Sequence, residues 1–131
     1  LGWMYVKGQG VPQNDKTALK WYRLAAEQGY AEAQYYLGQI YYDGPQRTGP
    51  AQDYAKAMKW YRKAAKQGQP DAHWWIGAMY LSGEGVTENS TEALKWKVKS
   101  IELRVKLPGA KIPKDLEKQL KIELLKLLLK N

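Results

Sequence analysis

With 131 residues, 44 % of them apolar, the chain is one domain's worth and can bury a core. It has no cysteine, which excludes disulfides, thiolate metal sites and a cysteine nucleophile. Its net charge of +8 is uneven: residues 1–90 carry 10 Lys/Arg against 8 Asp/Glu and residues 91–131 carry 11 against 5, so the basic character belongs to the C-terminal segment.

The chain opens on Leu1-Gly2-Trp3-Met4-Tyr5, which returns as Leu37-Gly38-Gln39-Ile40-Tyr41 and Ile76-Gly77-Ala78-Met79-Tyr80, at offsets of 36 and 39 residues. Self-similarity at such a period marks stacked supersecondary units. A second segment, Ala18-Leu19-Lys20-Trp21-Tyr22-Arg23-Leu24-Ala25-Ala26-Glu27-Gln28-Gly29, returns over residues 57–68 and then, more loosely, from Ala93-Leu94-Lys95-Trp96. In that last copy Ser100-Ile101 stands in place of the Ala-Ala pair and Arg104 in place of the closing Gly.

Each repeat reads as two helices. In the second helix Ala18, Trp21, Tyr22, Ala25 and Ala26 share one face, and Trp21, Trp60 and Trp96, repeating in register, are expected in the core. Gly29 and Gly68 stop these helices at positions that need a left-handed cap. Asn14, Asp15, Asn89 and Ser90 stand where N-cap oxygens belong, so the Asn89-Ser90-Thr91 sequon is read as a helix cap. Gly2, Gly38 and Gly77 fall inside the first helices, where Gly costs about 1 kcal/mol relative to Ala. Close approach by the small Ala25/Ala26 or Ala64/Ala65 pairs is the expected compensation.

No chemistry-bearing set emerges. Gly8-Gln9-Gly10 and Gly83-Glu84-Gly85 lack the preceding strand and third glycine of a phosphate loop and read as turns. His73, the single histidine, matches Gln34 in register and reads as a packed side chain. Carboxylates share no repeating face, so no catalytic, metal-ligating or cofactor-binding residue and no cofactor is proposed.

At the C-terminus Leu107-Pro108-Gly109 breaks the preceding helix, and Ile112-Pro113-Lys114-Asp115 opens another that runs to about Lys130. Leu116, Leu120, Leu124, Leu127 and Leu128 form a stripe opposed by Lys114, Lys118 and Lys121, but the last turn is apolar nearly all round. This helix is expected to cap the last repeat. The competing reading is self-association into a homodimer through Leu124, Leu125, Leu128 and Leu129.

The order Leu-Gly-x-x-Tyr, Gly-x-Gly-Val (Gly8 to Val11, Gly83 to Val86), Ala-x-x-Trp-Tyr-x-x-Ala-Ala-x-x-Gly resembles the Sel-one-like repeat (SLR) family, a relative of the tetratricopeptide solenoids. The resemblance covers residues 1 to about 103. It implies an all-α, α/α superhelical solenoid of about three helix-pair repeats over 1–107 (about 1–29, 30–68 and 69–106), with a capping or interface helix over 108–131. The chain departs from the pattern in a short first repeat, a three-residue insertion within Gly44–Pro50 and the drift after Trp96. Some SLR proteins pin each helix pair with a disulfide, which this chain cannot do.

By analogy with tetratricopeptide arrays, the first helices line a concave groove. The register points Trp3, Val6, Glu32, Tyr35, Gln39, Tyr42, Asp71, Trp74, Ala78 and Leu81 toward it, and clustered Trp and Tyr dominate binding hot spots. The leading expectation is therefore a non-catalytic scaffold or adaptor that binds a protein or peptide there. The alternative is a nucleic-acid or anionic-surface binder using Lys95, Lys97, Lys99, Lys106, Lys111, Lys114, Lys118 and Lys121; the lack of any aromatic after Trp96, with Arg104 the single arginine there, argues against it. With no membrane-length apolar run and no leader pattern, a soluble protein of cytoplasm or periplasm is expected.

Overall fold

Apolar residues at helical spacing, punctuated by glycine, produce four helices of equal length. In the computed structural model, which describes residues 15–44, 50–109 and 111–130, α1 (Asp15–Glu27), α2 (Ala31–Asp43), α3 (Tyr54–Lys66) and α4 (Pro70–Ser82) each span 13 residues. They are followed by the longer α5 (Ser90–Val105) and α6 (Lys114–Lys130). Among the described residues there is no strand, and no helix is long and apolar enough to cross a membrane. Asn14, the Gly8-Gln9-Gly10 turn, Gly2 and most of the 44–50 insertion lie outside the described residues.

The chain divides into two compact units, Leu1–Gln67 and Gly68–Asn131. In the first, α2 packs against both α1 and α3. Its core is Ala18, Tyr22, Ala26, Leu37, Tyr41, Ala57, Met58, Tyr61 and Ala64. α1 ends as the glycine pattern requires: Gly29 holds φ +95, its N–H reaches the Ala26 carbonyl at 3.0 Å, and the Tyr30 N–H reaches Ala25 at 3.2 Å, the paired bonds of a Schellman stop. The Gln67 amide ties this end to α3, donating to the Gly29 carbonyl at 2.7 Å and to Gln34 Oε1 at 3.0 Å. Gln34, itself buried, donates to the Ala26 carbonyl at 3.1 Å.

In the second unit α4 packs on α5 and α5 on α6, around Ala72, Ile76, Met79, Ala93, Val98 and Ile101. His73 is buried beside the Trp96 ring, centroids 5.4 Å apart, with Nδ1 at 2.9 Å from the Gln69 carbonyl. Ser100, where the second repeat has Ala64, is fully buried and donates its hydroxyl to the Pro70 carbonyl at 2.7 Å.

Both described helix pairs close in the same way. The Asp53 N–H bonds to the Tyr41 carbonyl at 2.8 Å and the Asn89 N–H to Tyr80 at 2.9 Å. Asp53 and Asn89 also N-cap the following helices, accepting from Lys56 and Glu92. The last residue of the Leu-Gly-x-x-Tyr box thus fastens the cap of the second helix in both pairs, although the connection in the second repeat is three residues longer. Ser90 is the first helical residue rather than the cap.

Two core expectations are corrected. Trp21, Trp60 and Trp96 are half-buried, while Tyr22 and Tyr61, one residue on, are 4 % and 0 % exposed. On α3 the buried sector centres on Ala57, Tyr61 and Ala64, so Trp60 lies about a quarter-turn aside, at the edge of the contact. The interior glycines do sit at a close helix approach, but not against the Ala-Ala pairs. A Cβ on Gly38 would lie 2.7 Å from the Tyr61 ring and 3.3 Å from the Ala57 carbonyl oxygen; one on Gly77 would lie 2.8 Å from both the Ala93 carbonyl oxygen and Lys97 Cγ. Gly77→Ala is therefore expected to lower stability by about 1–3 kcal/mol through overpacking, more than the ~1 kcal/mol of helix propensity it gains. Urea unfolding followed by circular dichroism checks this; an unchanged or higher midpoint would mean that the helices need no such approach.

Candidate functional site

The glycine contacts carry second-helix side chains up to the first-helix rings singled out in the sequence. In the first unit Tyr61 crosses Gly38, lies 6.0 Å from the Tyr35 ring and donates its hydroxyl to Gln39 Oε1. The Gln39 amide in turn donates to the Tyr35 hydroxyl at 3.3 Å. Tyr36 continues the aromatic row, with Tyr35 at 5.3 Å and Tyr22 at 5.5 Å. Tyr42 packs on Tyr54 at 5.2 Å, and Glu32 is exposed. Tyr35, Gln39 and Tyr42 are half-buried, each with a wall of neighbours and an open side.

The second unit repeats the arrangement with other chemistry. Lys97 occupies the Tyr61 position; its stem covers Gly77 and its ammonium stands 4.7 Å from the Trp74 ring centre, a cation–π contact. Asp71 pairs with Arg104 of α5. Both side chains stay more than a third exposed, so solvent screens the pair. Ala78 is half-buried and Leu81 is 48 % exposed. Trp3 and Val6 lie outside the described residues.

Sequence reading missed Tyr54, Tyr61, Lys97 and Arg104, all from outside the first helices. Lys97 and Arg104 had a signal: each replaces the repeat's residue, Tyr61 and Gly68, and the loss of that Gly lets α5 run on to present Arg104. Among the described residues no group of three His, Cys, Asp or Glu could hold a metal.

The C-terminal segment is two-sided. On α6 Leu116, Leu120, Leu124 and Leu127 are half-buried, whereas Ile122, Leu125, Leu128 and Leu129 are 42 %, 58 %, 45 % and 85 % exposed. Several of its lysines are engaged locally: Lys95 with Glu92 at 3.5 Å, Lys97 on Trp74, and Lys121 with Glu117 at 2.8 Å. The Glu117 hydrogen bond raises the Lys121 pKa. Lys99, Lys106, Lys111 and Lys118 are exposed, and the Lys114 side chain lies outside the described residues.

The Sel1 repeat model matches residues 1–30, 31–69 and 70–103. The chain belongs to the Sel1-repeat family. Its fold is accordingly the helical-repeat solenoid of that family, three repeats followed by a C-terminal helix. Among solved structures it is similar to c5321, a protective antigen present in uropathogenic Escherichia coli strains and displaying an SLR fold, at 39 % identity and TM-score 0.72 over 77 % of this chain and 21 % of that one. A Sel1 repeat protein from Oxalobacter formigenes is 34 % identical, TM-score 0.72, over 95 % of this chain and 55 % of its own. Helicobacter pylori cysteine-rich protein B is 25 % identical, TM-score 0.64, over 74 % of this chain and 69 % of its own. The chain thus spans about a fifth and about half the length of the first two. No curated protein matches it. Sel1-repeat proteins are generally protein-interaction scaffolds without catalytic activity.

Burial raises the pKa of Tyr22 and Tyr61, helped by Tyr36 beside the first and by Tyr35, Asp43 and Tyr42 beside the second. Below the usual phenol pKa of about 10 both folded and unfolded chains keep these protons; above it the unfolded chain releases them first, so stability falls as pH rises. The expected slope above about pH 10 is up to ~1.4 kcal/mol per pH unit for each tyrosine. Urea midpoints across this range check it, and the decline should flatten in Tyr22→Phe/Tyr61→Phe; an equally steep decline in the double variant would assign the effect elsewhere.

Proposed function

We propose that this Sel1-repeat chain is a non-catalytic scaffold that binds a protein or peptide along its first helices, in a groove lined by Trp3, Val6, Glu32, Tyr35, Gln39, Tyr42, Asp71, Trp74, Ala78 and Leu81. The observation that carries the reading is the paired setting of Tyr35 and Trp74. Each is a half-buried ring held by a second-helix side chain that crosses a glycine, Tyr61 in one unit and Lys97 in the other. Rings fixed in this way lose little side-chain entropy on binding and present a large apolar area with a polar edge. The test is affinity capture with the wild-type chain and with Tyr35→Ala/Trp74→Ala, helicity being checked by circular dichroism. Partners retained by the wild type should be lost or weakened at least about tenfold, the scale of one hot-spot residue. A folded double variant that keeps every partner would remove the groove from consideration.

Of the self-association residues, Leu125, Leu128 and Leu129 are exposed and Leu124 is half-buried; with exposed Ile122 they favour a second reading alongside the first, homodimer formation through α6. Light scattering on size-exclusion peaks should show a concentration-dependent dimer that Leu125→Glu/Leu129→Glu converts to monomer. A strict monomer at high concentration in the wild type would leave α6 as a cap alone.

A further inference from the structure

The outward face of α3 differs from the same face in the neighbouring repeats. Lys56, Lys59, Arg62, Lys63 and Lys66 are all exposed, and the helix holds no acidic residue. The positions in register are Thr17, Lys20, Arg23, Leu24 and Glu27 in α1, and Glu92, Lys95, Val98, Lys99 and Glu102 in α5. All three repeats have lysine at the position of Lys59; the second alone also has lysine at 56 and 66, where the others have Thr17 and Glu92, and Glu27 and Glu102.

Lys56, Lys59, Lys63 and Lys66 stand at i, i+3, i+7 and i+10, one stripe ~15 Å long. Like charges at this spacing repel, and among the described residues none of these four lysines is in an ion pair, whereas Lys95, Arg104, Lys121 and Lys126 pair with Glu92, Asp71, Glu117 and Glu123. What organises the stripe is aromatic: Lys63 and Lys59 lie 4.6 Å and 5.5 Å from the Trp60 ring centre, and Lys56 lies 5.3 Å from that of Tyr41. Three of the four ammonium groups thus stand beside rings, and among the described residues no carboxylate pairs with any of the four.

Three occupants fit poorly. A single nucleic-acid strand would find phosphate contacts but no open ring for its bases, because the Trp60 ring carries Lys59 and Lys63. To a lipid surface the face offers charge alone, because none of the large exposed hydrophobic residues is on α3 to insert. A second copy of this same face would set lysine against lysine. We propose that the outer face of α3 docks an acidic helical segment of a partner protein, whose Asp or Glu side chains, at the same three- and four-residue spacing, pair with Lys56, Lys59, Lys63 and Lys66. This surface belongs to a second helix, separate from the first-helix residues of the groove, and stands or falls independently of them.

The probe is a capped amphipathic peptide with Glu at i, i+3, i+7 and i+10, titrated by fluorescence anisotropy at low and physiological salt beside a scrambled peptide of equal charge, a single-stranded oligonucleotide and vesicles of anionic phospholipid. Lys59→Gln/Lys63→Gln should weaken the peptide roughly tenfold, whereas Lys99→Gln/Lys118→Gln, an equal loss of charge at exposed sites elsewhere, should change it less than about threefold. Stronger binding of the patterned than of the scrambled peptide is also expected. Equal losses from the two double variants, equal binding of the two peptides, no peptide binding at low salt, or tighter binding of the oligonucleotide or vesicles would each overturn the proposal.

Discussion

The contact between an interior glycine and the backbone of the following helix governs most of what this protein displays. With no side chain at Gly38 or Gly77, α3 and α5 approach until ring, stem and carbonyl atoms fill the space that a Cβ would need. Two consequences follow. The residue at the crossing, Tyr61 or Lys97, is carried through to the first-helix ring beyond it, and the alanine four residues before it, Ala57 or Ala93, becomes fully buried. Binding-surface geometry and core packing are thus set by the same approach. The closure from Tyr41 to Asp53 and from Tyr80 to Asn89 keeps that approach in place whatever the connecting loop contains.

The third repeat shows how the contact survives sequence drift. Lys97 substitutes for a buried tyrosine because its aliphatic stem lies on Gly77 while its charge leaves along the Trp74 ring, the snorkelling that long cationic side chains allow. Ser100 replaces alanine at no loss of burial because its hydroxyl reaches the Pro70 carbonyl. Arg104 replaces the stop glycine, and the extended α5 uses it to reach Asp71. Each change adds a polar link between α4 and α5, so the repeat departs from its pattern without losing its helix pair.

The faces of the molecule divide chemically in a way that net charge conceals. Residues 1–90 sum to only +2, yet α3 alone holds five cations and no anion. The more basic C-terminal segment instead neutralises part of its charge through Glu92, Glu117 and Glu123. Averaging over the long N-terminal stretch hid the sharper of the two patterns.

Helix existence, helix ends and repeat order could be read directly from the chain, because they depend on local chemistry: a left-handed stop at Gly29, an N-cap at Asn89 and apolar spacing near 3.6. Tyr35 and Trp74 stood out as large rings at positions the repeat leaves variable, but their half-buried setting beside Tyr61 and Lys97 was not readable from the chain. Which residue sits deepest was not readable either. Trp60 and Tyr61 are adjacent on α3, and the periodicity allots both to the buried side; only the line of closest approach to Gly38 decides that the tyrosine is enclosed and the tryptophan left at the rim for two lysines. The partners of the glycines, the Asp71–Arg104 pair and the two-sided leucines of α6 belong to the same category. Spacing along one helix specifies which side chains share a face, but how wide a sector of that face is covered depends on the position and distance of a neighbouring helix, and these arise only when the helices pack.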